Sequence, residues 1–151
     1  MKFITAVPAL VCLAVASAQS IPPIFNCATG PTDIVINNFT LTPYPLCIGQ
    51  RVCASGTGTL LTPVIAPAKL AITGKYLGRV VYADNHDLCA LMAEQDLPCP
   101  IPVTMTSITA CILVKPSAPA NIPVALTVLA TNGNNHVLFC QAGRSSRTRS
   151  L

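Results

Sequence analysis

The residues of this chain best suited to covalent chemistry are its cysteines. Two of them stand near the ends of the body of the chain, and between these lie two further pairs whose members are only a few residues apart. One long-range disulfide together with two short-range disulfides is typical of small extracellular β-domains. These six cysteines are Cys27, Cys47, Cys53, Cys89, Cys99 and Cys140.

Two more cysteines complete the set of eight. Cys12 lies in the N-terminal leader, so the mature chain has an odd number of cysteines, and counting alone leaves their pairing open. Cys111 lies in an apolar segment between Ala110 and Ile112. A reactive thiol needs a base or a positive environment, and this segment offers neither. We therefore interpret Cys111 as a buried, inert thiol rather than a nucleophile.

The remaining polar residues do not form a recognisable catalytic or metal site. His86 lies in a polar run, residues 83–89, but the run has neither the glycine and distal glutamate of a calcium loop nor the paired ligands of a zinc site. His136 has no evident partner, and the few carboxylates fall mostly in loops. The chain contains neither a Gly-x-Ser-x-Gly elbow nor a phosphate loop. The sequence therefore predicts a protein that is not an enzyme and that uses no metal or cofactor.

Residues 1–18 have the pattern of a signal peptide. Lys2 supplies a positive charge, the run from Ile4 to Val15 is mostly apolar, and Ala16-Ser17-Ala18 is a small-x-small cleavage site. The apolar run is shorter than the roughly 20 residues of a transmembrane helix. We expect the mature protein to begin at Gln19, to enter the secretory pathway, and to be secreted or held in the lumen of a vacuole or lysosome.

The net charge of +4 does not indicate a nucleic-acid partner. Lys2 belongs to the leader and three arginines lie in residues 144–151, so the body between them is neutral. We expect residues 144–151 to form a basic, disordered tail. Hydrophobic residues make up 52% of the chain and charged residues only 9%. A small domain of this composition needs either a large core or an apolar cavity.

Apolar residues recur with a period of two along the body, which is typical of half-buried strands. Turns rich in proline, glycine and asparagine separate these segments, and Asn132-Gly133 favours a type I′ hairpin turn. We find no convincing helical stripe of useful length that is free of proline and glycine. The sequence therefore predicts an all-β fold, a two-sheet antiparallel sandwich formed by a single domain over residues 19–143.

Several motifs of the body resemble those of the ML-domain family of lipid-recognition proteins. The most specific are the Cys89 to Cys99 pair followed by Pro100-Ile101, and the closing Leu138-Phe139-Cys140. The supporting segments are Phe25-Asn26-Cys27, Asp33, residues 43–53 and Ile122-Pro123. The resemblance covers nearly the whole mature body. It implies an immunoglobulin-like β-sandwich with a lipid cavity between its two sheets.

The resemblance also implies a disulfide pairing and a partner. The implied pairs are Cys27–Cys140, Cys47–Cys53 and Cys89–Cys99, which leaves Cys111 free. The lipid is expected to be a phospholipid of the phosphatidylglycerol or phosphatidylinositol type, or a sterol, carried by a monomer that touches membranes transiently. The regions around Asn85 and Lys115 lack the aromatic residues that border the sterol pocket in cholesterol-carrying members. The alternative is a secreted recognition protein, immune-recognised or host-directed, that keeps the fold without a lipid-transfer role.

Strand alternation selects the side chains that would face a lipid, because every second residue of a strand points to the same side. Lys69, Lys75 and Lys115 are candidates to meet a phosphate headgroup at the rim. Asn38-Phe39-Thr40 is a sequon and predicts N-glycosylation of Asn38. The predicted lipid-binding residues are Ile34, Leu70, Ile72, Tyr76, Ile108, Ile112, Val124, Leu126 and Val128.

Overall fold

The computed structural model describes residues 23–145, which form two antiparallel sheets and one short helix. One sheet has the strand order β1-β8-β7-β4-β5 and the other β2-β3-β6, so the predicted all-β sandwich is confirmed. The predicted signal peptide and the part of the tail beyond Ser145 lie outside the described residues. The elements are β1 Phe25–Asn26, β2 Ile34–Thr42, β3 Arg51–Leu60, β4 Lys69–Tyr76, β5 Arg79–Asp87, α1 Leu88–Ala93, β6 Ser107–Leu113, β7 Val124–Thr131 and β8 Val137–Ser145.

Strands β4 and β7 form as their period of two predicts. On β4, Leu70 and Ile72 are buried whereas Lys69 is exposed. Strand β7 runs antiparallel to β4, with Val128 opposite Ile72 and Ala130 opposite Leu70. Residues directly opposite each other on adjacent strands point to the same face of a sheet. These four apolar residues therefore share the inward face of the larger sheet.

A bulge in β2 changes which of its residues face inward. The register between β2 and β3 shifts between Ile36 and Asn38, which leaves Asn37 as an extra residue. One extra residue reverses the alternation of the residues that follow it. Phe39 and Leu41 are therefore the more buried residues in the second half of β2, where a strict period of two from Ile36 selects their exposed neighbours.

One end of the sandwich, which we call the packed end, is filled by side chains around α1. The helix begins after Asp87, whose carboxylate accepts a hydrogen bond from the Ala90 N–H at 3.0 Å and so caps it. The disulfide between Cys89 and Cys99 ties the helix to the segment that follows it. The core residues gathered here include Leu60, Val64, Leu88, Leu91, Met92, Ile101, Ala130 and Leu138.

The turn between β7 and β8 is longer than the two-residue type I′ turn that Asn132-Gly133 predicts. It spans residues 132–136, and its positive φ falls on Asn135, at 67°, rather than on Gly133. The side chain of Asn132 is buried instead. It accepts a hydrogen bond from the Ile65 N–H and donates one to the Pro63 carbonyl. The predicted turn type is wrong because the Asn132 side chain binds the neighbouring loop instead.

The disulfide pairing is correct for two bridges and wrong for the third. Cys27–Cys140 and Cys89–Cys99 form as predicted. The prediction of Cys47–Cys53 is wrong, and so is that of a free Cys111, because Cys53 is bonded to Cys111. These two residues are opposite each other on β3 and β6, with their Cα atoms 4.0 Å apart. Cross-strand register, rather than closeness in sequence, determines this bond, and the described residues include no free cysteine.

Candidate functional site

An apolar cavity lies between the two sheets, and none of its lining residues belongs to α1; we call this part of the sandwich the cavity end. Its volume is about 110 Å³, it is partly open to solvent, and its lining is almost entirely carbon. The smaller sheet contributes Phe39, Leu41, Val52, Ala54, Ala110 and Ile112, and the larger sheet contributes Leu70, Ile72, Leu126 and Val128. The two inward faces therefore meet around empty space here, whereas they meet around a filled core at the packed end.

The structure brings five of the nine predicted lipid-binding residues together in this cavity. These are Leu70, Ile72, Ile112, Leu126 and Val128. Val124 lines a second, smaller compartment beside it. Ile34 and Ile108 pack against the core cluster. Tyr76, at the end of β4 and beyond a register shift at Gly74, does not line the cavity. Whether any of the nine binds lipid stays a prediction.

Sequence reasoning missed a large part of the lining. Alternation from Ile36 did not select Phe39 and Leu41, because the bulge in β2 reverses the faces of the residues that follow it. Val52 and Ala54 carried a usable signal, since they alternate with polar and cysteine positions along β3. Ala110 on β6 and residues 141–144 on β8 were also missed. The remaining missed residues, Ile24 before β1 and Tyr44 and Leu46 in the connection from β2 to β3, belong to segments without a strand pattern. No periodic signal marks residues in such connections.

The second compartment extends the apolar space towards the edge where β5 faces the end of β6. Its volume is about 60 Å³, and it shares Val52, Ile72 and Leu126 with the main cavity. Its outer wall is formed by Tyr82 of β5 and by Pro119 in the connection from β6 to β7. The apolar interior of the cavity end is therefore broader than the main cavity alone.

A buried carboxylate closes this edge. Asp84 of β5 is 1% exposed and binds the ammonium group of Lys115, which follows β6. Nε2 of His86 lies 2.9 Å from its second oxygen, Oδ2, and Tyr82 donates a hydrogen bond to that oxygen at 3.2 Å. Because Lys115 follows a strand of the smaller sheet and Asp84 belongs to the larger one, the ion pair joins the two sheets.

The charges at this edge influence one another. Burial acts to raise the pKa of Asp84, but hydrogen bonds from Lys115 and His86 together outweigh it and hold that pKa below its ordinary value. The pKa of Tyr82 is raised, first by burial and then by the nearby negative charge of Asp84. Asp84 is therefore an ionised structural partner. Its arrangement favours holding the edge closed over acid–base chemistry.

The three lysines proposed as headgroup ligands do not line the cavity. Lys115 is held by Asp84, and Lys69 lies with Asp87 along an outer groove. Arg144 contributes to the cavity wall. The sequence prediction placed Arg144 in the tail, but β8 runs to Ser145 and pairs Arg144 with Ala125. Because Arg144 lies opposite the exposed Ala125, its side chain is on the outer face of β8 rather than on the face of Leu126 and Val128.

Within residues 23–145, no group of three or more His, Cys, Asp or Glu side chains is placed to hold a metal ion. In that same part of the chain, no helix has the length and apolar character needed to cross a bilayer. Asn38, the predicted glycosylation site, is exposed in β2 directly after the bulge.

Comparison with known proteins gives a family and a fold. A family model described as the ML domain matches residues 23–144. No curated protein sequence matches the chain. Among solved structures, a Niemann-Pick type C2 protein from the Japanese carpenter ant aligns with a TM-score of 0.64 at 11% sequence identity, covering 84% of this chain and 99% of that one. Chicken MD-1, solved in complex with lipid IVa, aligns over the same shares of the two chains at 10% identity with a TM-score of 0.49.

Proposed function

Because the chain belongs to the ML-domain family, whose model matches residues 23–144, we propose that it binds a lipid between its two sheets and carries it between membranes. The observation that carries this proposal is the apolar cavity formed where the two inward faces separate. The aliphatic lining of this space suits the apolar part of a phospholipid of the phosphatidylglycerol or phosphatidylinositol type, or a sterol.

The size of the cavity implies that the sheets move when the lipid enters. Removing an acyl chain of about 16 carbons from a membrane costs on the order of 12 kcal/mol, which the protein must return by burying the chain. A cavity of about 110 Å³ is smaller than the roughly 150 Å³ cavity that accommodates benzene. A whole acyl chain therefore requires the two sheets to separate. The ion pair between Asp84 and Lys115 is one of the contacts that resist this separation.

The connection between β4 and β5 is suited to transient contact with a membrane. Leu77 at its tip is 85% exposed, Val80 beside it is also exposed, and Lys75 and Arg79 flank it. The connection lies at the cavity end, since Leu126, which lines the cavity, lies opposite Gly74 near the end of β4. Each basic residue near an anionic surface contributes roughly 1 kcal/mol. An apolar tip between two cations thus supports docking beside the cavity.

The disulfides support an oxidising compartment. Three bridges connect six of the described cysteines, and such bonds persist mainly in secreted proteins and in the lumen of the secretory pathway. We propose that the protein acts there as a monomer. The small volume of the cavity also favours a second candidate, a secreted recognition protein whose cavity stays empty.

Lipid extraction distinguishes the two candidates. Protein purified from a eukaryotic host is extracted with organic solvent and the extract is analysed by mass spectrometry. A lipid recovered at about one molecule per protein is expected for a carrier, together with transfer of that lipid between vesicles. An empty protein that accepts no lipid from vesicles would favour the recognition role.

A substitution at the β4–β5 connection tests the membrane contact. Leu77→Ser should weaken binding to anionic vesicles, whereas Leu61→Ser, at an exposed position directly after β3, should not. Equal binding by both variants and the unmodified protein would contradict docking through this connection. Vesicle co-sedimentation at low and high salt provides the measurement.

A further inference from the structure

A polar groove adjoins the apolar cavity, along the edge where β1 of the larger sheet faces β2 of the smaller sheet. Its volume is about 430 Å³. Four carboxamide side chains line it, and no charged residue does. These four are Asn26, Asn37, Asn38 and Gln141. Ile24, Phe39 and Gln141 line both the groove and the cavity, so the two spaces share a wall.

The carboxamides are brought together by two features of the strands. The bulge in β2 leaves Asn37 and Asn38 as two consecutive exposed residues, where regular alternation would have turned one of them towards the core. In the facing sheet, Asn26 of β1 lies opposite Gln141 of β8, so their side chains share one face. Gln141 in turn lies opposite Val128, which lines the cavity.

Most of the hydrogen-bonding capacity of these carboxamides is unused by the protein. The Oδ1 atom of Asn26 accepts a hydrogen bond from the Ala28 N–H at 2.9 Å, which leaves its amino group free to donate. Within the described residues, the side chains of Asn37, Asn38 and Gln141 make no hydrogen bond to the protein. Each carboxamide offers both donors and an acceptor. The groove therefore presents a mixed, uncharged set of partners.

The chemistry of this set matches a hydroxyl-rich group. A hydroxyl both donates and accepts, as a carboxamide does, whereas phosphate and carboxylate groups prefer cations. We propose that the groove binds a sugar or polyol headgroup while the attached chains occupy the apolar cavity. This assignment rests on the proposed lipid-binding function and specifies the ligand within it.

The groove also connects the headgroup with the predicted glycosylation. Asn38 lies both in the groove and in the sequon Asn38-Phe39-Thr40. A glycan on Asn38 places the protein's own sugar in the space assigned to the headgroup. Glycosylated and unglycosylated protein should therefore differ in headgroup preference, and the unglycosylated form is the selective one.

The test compares lipids that share their acyl chains and differ only in the headgroup: inositol, glycerol or choline. Thr40→Ala removes the sequon but keeps the Asn38 side chain, so this variant is the reference protein. On that background, Asn37→Ala combined with Asn38→Ala removes two carboxamides of the groove. Asn85→Ala, which removes an exposed carboxamide of β5 outside the groove, is the matched control. Binding is measured by displacement of a fluorescent lipid.

We expect the reference protein and the Asn85 variant to bind the inositol or glycerol lipid about tenfold more tightly than the choline lipid. The double variant should bind all three lipids equally, at the affinity of the choline lipid. Equal binding of the three lipids by the reference protein would overturn the headgroup assignment while the proposed function stands. Failure to bind any of them would instead refute the proposed function.

Free inositol and glycerol form a second arm of the test. Without chains they should not displace the fluorescent lipid at millimolar concentration, because the apolar cavity supplies most of the affinity. If the free polyols bind tightly, and bind the double variant equally tightly, the groove is not their site. That result would overturn the proposal. In protein glycosylated at Asn38, the tenfold preference for the inositol or glycerol lipid over the choline lipid should disappear. It should return after the glycan is removed enzymatically.

Discussion

The packed end and the cavity end of the sandwich are built from the same kinds of aliphatic residues, yet one is filled and the other is not. At the packed end, α1 inserts Leu88, Leu91 and Met92 between the sheets, and Met92 and Leu138 are almost completely buried. At the cavity end no helix of the described chain enters, and Leu126 and Val128 remain only half-buried. The helix that caps one end is therefore the difference between a core and a cavity.

The ties that hold the two ends also differ. The packed end is tied locally by Cys89–Cys99, with a sequence separation of 10 residues, and by the buried carboxamide of Asn132. The cavity end is tied across the chain by Cys53–Cys111, which joins strands within one sheet, and by the ion pair of Asp84 with Lys115, which joins the two sheets. If the sheets separate at that edge, this ion pair is one of the contacts that must break.

The largest expected effect concerns the disulfides. Replacing both Cys53 and Cys111 by alanine should cost about 4 kcal/mol in the free energy of unfolding, because the bond closes a long loop in the unfolded chain. The same change at Cys89 and Cys99 should cost about 3 kcal/mol, since that loop is shorter. Urea unfolding of the two variants provides the comparison. Non-reducing peptide mapping that finds Cys47 linked to Cys53 would contradict the pairing itself.

Truncation of one leucine at each end separates the core from the cavity. Leu138→Ala should destabilise the protein by about 2–5 kcal/mol, because Leu138 is fully buried and its removal leaves a hole in a filled core. Leu126→Ala should cost less than half as much, since Leu126 already borders empty space. Chemical denaturation of lipid-free protein measures both. Equal losses would mean that the cavity end is packed as tightly in solution as the packed end.

Replacing a valine by a larger residue at each end is the complement of the leucine truncations. Val64→Phe at the packed end should overpack the core and cost about 1–3 kcal/mol. Val128→Phe at the cavity end should leave the melting temperature of the lipid-free protein nearly unchanged while lipid transfer between vesicles falls about tenfold, because the ring occupies space that the ligand needs. A Val128 variant that melts early yet transfers lipid normally would show a solid core at this position.

The smallest expected effect is the pH dependence of the ion pair. The pKa of Asp84 is lower in the folded than in the unfolded chain, so its pairing stabilises the fold above about pH 4 and this contribution is lost as the pH falls through the folded pKa. Lys115→Met should cost about 1–2 kcal/mol at neutral pH and should flatten this acid dependence. Lys69→Met, at an exposed position outside the pair, is the control. Unfolding free energies measured between pH 7 and pH 2 would show whether the two variants differ.

The fold could be predicted from the sequence more fully than the candidate site. Regular alternation on β4 and β7 was enough to identify Leu70, Ile72, Leu126 and Val128 as inward residues. On β2 the same rule failed, because the extra residue in the bulge reverses the faces and brings Phe39 inward. A bulge depends on how two strands pair and has no reliable signature in the sequence of one strand.

The partners of Cys53 and Lys115 were also predicted incorrectly from the sequence. The family resemblance implied a bond between Cys47 and Cys53, which are close in sequence, but the register of β3 with β6 places Cys53 opposite Cys111. Lys115 was predicted to be a headgroup ligand at the rim, but it pairs with Asp84 on a strand distant in sequence. Neither partner can be identified by counting residues along the chain.

The sequence by itself determined the properties that depend on local order. Alternation and turn residues specify strands, the cysteine and proline motifs specify the family, and the apolar composition demands a core or a cavity. Only the tertiary structure decided which of these the protein has, and where. The end that α1 enters is filled, and the cavity end keeps an apolar cavity beside a groove of four carboxamides. The physical reason is that filling, register and charge pairing are contacts between residues far apart in the chain.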